Sequence, residues 1–129
     1  MRPWGLTIGL AAVGLLGGCT QEISAPGDRG VCWHMVQPLK GPPKFNVLAR
    51  DVPDLEHCAA QMEKMRVNFQ SLGLAQSDIV GAYQTQFLFL NRYGAFTSQT
   101  LTGFHYPFLV RTGDGRLAVP GAMPQNSAQ

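Results

Sequence analysis

The sequence predicts an α+β domain, an antiparallel sheet of about five strands with one amphipathic helix packed on one face. Between Asp51 and Gly73, apolar residues recur at spacings of three and four, the period of a helix face. On either side, runs of Val, Ile, Phe, Tyr and Thr are punctuated by Gly and Pro, as in short strands. Thr112-Gly113-Asp114-Gly115 then supplies a hairpin turn, Asp-Gly providing the positive φ angles.

Taken in order, Val31 to Val36 is the first strand, bounded by Gly30 and Pro38. Alternation places Cys32, His34 and Val36 on one face and the larger apolar set, Val31, Trp33 and Met35, on the other. Gly41-Pro42-Pro43 makes a loop, and Phe45 to Arg50 returns as the second strand. The helix follows, with Asp51 placed to cap its amides, Pro53 tolerated in its first turn, and Asp54 and Glu56 near its positive end. Its stripe is Leu55, Cys58, Ala59, Met62, Met65, Phe69 and Leu72, and Gly73 stops it. Ile79 to Asn91 reads as a central strand, apolar on both faces near Phe87 to Leu90. Ala95 to Gln99, Phe104 to Arg111 and Arg116 to Val119 complete the sheet, Pro107 requiring an edge or a bulge.

A chain of 129 residues, 45% hydrophobic and 14% charged, suits one domain with an ordinary core. The formal charge of +2 gives no reason to expect nucleic acid as a partner. No glycine-rich phosphate loop and no Gly-x-Ser-x-Gly nucleophile turn occurs, so the sequence carries no enzyme signal and implies no cofactor. Arg111 and Arg116 read as solvated edge protection, and His105 as a solvated or hydrogen-bonded side chain turned away from Phe104 and Tyr106.

The N-terminus supplies an address. One cation, Arg2, precedes an apolar run from Gly5 to Leu16, too short for a span of about 20 residues and suited to a secretory signal. Leu16-Gly17-Gly18-Cys19 resembles the lipobox of bacterial lipoproteins. That resemblance implies cleavage before Cys19 and attachment of diacylglycerol to its thiol. Residues 1–18 are then the signal peptide and 19–30 a flexible tether, with 31–121 the single domain and 122–129 a disordered tail. Two acyl chains on Cys19 and a third on the freed amine suffice for stable membrane anchoring. Thr20, in place of an aspartate after the cysteine, implies by the same resemblance the periplasmic face of the outer membrane.

With Cys19 lipidated, Cys32 and Cys58 remain as one pair, which an oxidising periplasm favours as a disulfide. The competing reading is a metal or redox site built from Cys32, His34, His57 and Cys58, since two thiols and two imidazoles are the ligand types of tetrahedral zinc. Their spacing is not a familiar zinc pattern, and His57 and Cys58 point about 100° apart on a helix. A lipid address, small size and absent catalytic motifs lead to a non-catalytic envelope subunit, docked to a larger envelope protein through an aromatic sheet face or edge. The alternative is a module that binds peptidoglycan or another envelope polymer. The strand-helix-strand order from Phe45 through Tyr83 is similar to half of a sporulation-related glycan-binding repeat, in order of elements only.

Overall fold

The computed structural model describes residues 22–74 and 78–120. They form β1 (Cys32–Val36), β2 (Lys44–Ala49), α1 (Leu55–Ser71), β3 (Ile79–Tyr83), β4 (Gln86–Asn91), β5 (Gly94–Ser98), β6 (Tyr106–Arg111) and β7 (Leu117–Ala118). All strands join one open antiparallel sheet in the order β2-β1-β3-β4-β5-β6-β7, which places β4 at its centre. The domain is therefore α+β and mostly sheet, with seven strands rather than about five.

The added strands have local causes. Ile79 to Asn91, expected as one strand, is a hairpin folded at Gln84 and Thr85, both in the left-handed region at φ 43° and 71°. Neither residue carries the Asn or Gly signature of that turn, so the sequence conceals it. The rest of the chain secures it: Thr85 N–H donates to Pro26 O (3.0 Å), and Gln84 Oε1 accepts from Gly30 N–H (3.0 Å). The segment expected as a flexible tether, in its described part 22–30, has no helix or strand, yet these bonds hold it to the domain. Residues 1–21 and 121–129, which contain the expected signal peptide, Cys19 and the tail, lie outside the described residues.

Helix α1 begins one turn later than Asp51 would set it. Asp54 is the N-cap, its side chain accepting from His57 N–H at 2.8 Å, while Asp51 sits at φ 55° in the preceding turn. Cys58, Ala59 and Met62 are buried, and Leu55, Met65 and Phe69 pack around them. Leu72, expected on the buried stripe, is the exposed C-cap, and Gly73 ends the helix at φ 74°.

The helix rests on Cys32 of β1, Ile79 and Tyr83 of β3, and Leu88 and Leu90 of β4. Its approach requires a glycine at position 81: a Cβ there would lie 2.4 Å from Trp33 O and 2.8 Å from Met62 Sδ. Tyr83 closes the other end by donating its hydroxyl to Val52 O at 2.6 Å. In β6 the expected irregularity at Pro107 is a bulge, since the pairing shifts between Ala95↔Leu109 and Phe96↔Pro107.

Candidate functional site

With Cys32 and Gly81 facing the helix, alternation sends Trp33 and Met35 to the opposite face. The register then builds an apolar surface strand by strand. One row runs Val47–Trp33–Ala82–Phe87, and a second runs Val80–Phe89–Phe96–Pro107. Ala82 and Phe87 are fully buried at its centre, while Trp33, Met35, Phe45, Val80, Phe89 and Phe96 are half-buried around them. Phe45 and Phe89 flank Phe87 with ring centroids 6.3 and 6.5 Å away. Among the described residues no helix or strand packs on this face.

Two features sharpen it. The indole Nε1 of Trp33 is buried and has no hydrogen-bond partner among the described residues. Among the described residues, strand β2 borders the face as the sheet's outer strand, paired with β1 alone and exposing Val47. Its free edge can accept an added strand, with Lys44 and Arg50 at either end. At the other side the loop after β5 folds back on the sheet, where the His105 ring stacks on Phe89 at 3.6 Å. His105 also bonds through Nε2 to Leu101 O at 3.3 Å, the hydrogen-bonded setting expected for it, turned away from Phe104 and Tyr106.

Cys32 and Cys58 form a disulfide, with Cα atoms 5.3 Å apart. Both are wholly buried, so the bond ties β1 to the helix inside the core. The four candidate metal ligands are not assembled as a site. Their sulfurs are bonded to each other, and His57 lies exposed with Nδ1 2.6 Å from Asp54 Oδ1. His34 lies against Phe69, ring centroids 6.5 Å apart, and partial burial lowers its pKa. No cluster of three or more His, Cys, Asp or Glu able to hold a metal occurs among the described residues.

The sequence reading missed one polar centre. Arg111, expected on a solvated edge, is largely buried and donates to Glu63 Oε2, Asn91 O and Gly115 O, each at 2.9 Å. Arg66 reaches the same carboxylate from one turn along the helix, at 2.9 Å. Burial pushes the Glu63 carboxyl up, but hydrogen bonds from Arg66 and Arg111 prevail and hold its pKa at about 2. The network joins α1, the β4–β5 turn and the β6–β7 hairpin. It borders an open groove of about 600 Å³ between α1 and the last two strands, lined by Ala60, Val67, Leu109 and Leu117.

Comparison with known proteins gives no family model, no curated protein and no solved structure that matches this chain. None of the described helices is long and apolar enough to cross a membrane.

Proposed function

We propose that the protein is a lipid-anchored, non-catalytic subunit of the bacterial envelope, held by acylated Cys19 and docked on a larger envelope protein. The observation that carries this reading is the aromatic sheet face centred on Phe87 and bordered by the free edge of β2. Half-buried aromatic and apolar side chains sharing a sheet face on which no described helix or strand packs favour an interaction surface. Aromatic residues and Met suit the buried centre of an interface, and an unpaired strand edge supplies main-chain donors and acceptors for an added segment. Anchoring confines both partners to one membrane, which raises their effective concentration without any new contact. The periplasmic face of the outer membrane is the location this account assigns, following Thr20 and the lipobox resemblance.

Affinity purification of the full chain from detergent-extracted membranes tests it. One partner should co-purify in fixed ratio, and the double variant Phe45→Asp/Val47→Asp should release that partner while remaining anchored. Recovery of a lone monomer in repeated extractions would overturn the reading.

A further inference from the structure

At the end of the sheet away from the β2 edge, the structure holds two aromatic rings out in solvent. Phe104 is 72% and Tyr106 61% exposed, and the rings meet edge to face with centroids 4.9 Å apart. Neither ring belongs to the hydrophobic core. The loop carrying Phe104 is pinned from within: Thr100 N–H donates to Ser98 Oγ (3.2 Å) and Gly103 N–H donates to Thr100 Oγ1 (2.9 Å). His105, between them in sequence, has its ring stacked on Phe89.

Beside them opens a cavity of about 470 Å³, lined by Gln86, Thr97, Gln99, Thr100, Phe104 and Tyr106 among others. That volume lies within the roughly 300–1,000 Å³ of small-ligand sites. Every lining residue is uncharged. The Thr97 hydroxyl lies 2.9 Å from Gln86 Oε1 and 3.0 Å from Phe87 O, its single hydrogen shared between these two acceptors. Thr97 pairs with Leu88, so this wall stands on the helix side of the sheet, opposite the aromatic docking face.

The lining supplies no charged side chain to pair with phosphate or with a strongly charged peptide. A sugar ring is different: its axial C–H groups form an apolar face that stacks on an aromatic ring, and its edge carries hydroxyls that pair with amides and hydroxyls. Exposed aromatics beside fixed neutral polar groups match both halves of that chemistry. We infer that Phe104, Tyr106, Gln86 and Thr97 form a binding site for an uncharged polysaccharide strand, one pyranose ring seated against the aromatic pair. Gln86 and Thr97 lie on the opposite side of the sheet from Phe45 and Val47, so the site can be tested apart from the proposed protein partner.

The test is ligand-observed saturation-transfer NMR on the full chain in detergent micelles. The probes are the β-1,4-linked tetramers of N-acetylglucosamine and of glucose. At least one should receive saturation through its ring protons, and the comparison separates an amino-sugar strand from a plain glucan. Phe104→Ala/Tyr106→Ala should lower affinity about tenfold or more, consistent with loss of aromatic stacking. Both rings are exposed, so the melting temperature should hold; Gln86→Ala offers a second loss should the double variant unfold. Phe45→Asp/Val47→Asp should bind sugar normally. No transfer to either tetramer at millimolar concentration, or equal transfer with the double and Gln86 variants, would overturn the inference. Loss of a protein partner rather than of sugar in the Phe104/Tyr106 variant would overturn it as well.

Discussion

Arg111 Nη2 donates to Glu63 Oε2 at 2.9 Å across 48 residues of chain, joining the last hairpin to the middle of the helix. Strand β7 has two residues and, among the described residues, pairs with β6 alone, so this bond secures the outer end of the sheet.

The pH dependence of stability follows from the same pair. Glu63 ionises at about 2 in the fold against an ordinary 4.5, so its contribution is fully present above pH 4.5 and disappears as pH falls from 4.5 through 2. Urea unfolding of the wild type should show stability declining over that window. Glu63→Gln should cost about 1–3 kcal/mol at pH 7 and flatten the decline.

Removing the disulfide releases a constraint on the unfolded chain. For residues 26 apart the chain-entropy account gives about 3.5 kcal/mol. Cys32→Ser/Cys58→Ser should lower the urea midpoint accordingly. Intact mass of protein from its own membranes should show acyl chains on Cys19, with Cys32 and Cys58 open to alkylation only after reduction.

Gly81→Ala should destabilise by about 1–3 kcal/mol, because the new methyl group meets both the Trp33 carbonyl and Met62. The carbonyl belongs to the β1–β3 ladder and cannot yield without disturbing it. An unchanged urea midpoint would contradict this packing, because lifting the helix relieves Met62 but leaves the Trp33 carbonyl in place.

Much of the architecture was legible because it is written at short range. The stripe from Leu55 to Phe69, the stop at Gly73 and the turn at Asp114-Gly115 are local patterns that tertiary packing reinforces, although in that turn Gly115 has positive φ (84°) and Asp114 does not. The alternation in β1 correctly separated Cys32 and His34 from Trp33 and Met35. The hairpin at Gln84-Thr85 was not legible, since its unfavourable backbone is held by Pro26 and Gly30 more than 50 residues earlier. The cap expected at Asp51 failed for a similar reason: Asp51 sits in a left-handed turn beside Gly30, and Asp54, expected only near the positive end of the helix, meets its amides.

The candidate surfaces divide the same way. The aromatic residues of the second half, Phe87, Phe89 and Phe96 among them, were visible in the sequence, and an aromatic sheet face or edge was the expected docking surface. Their assembly with Trp33 and Phe45 needed the order β2-β1-β3-β4, in which the first hairpin joins the later meander. Nothing local tells Arg111 that Glu63 will be its partner, so a buried network read as a solvated edge.

The most direct test of docking through the aromatic face is site-specific photo-crosslinking in intact membranes. A photoreactive amino acid in place of Val47 samples the β2 edge, and one in place of Val67 samples the exposed side of the helix. Docking through this face should give a single crosslinked envelope protein from position 47 and none from position 67. Crosslinks from position 67 alone, or from neither position, would contradict it.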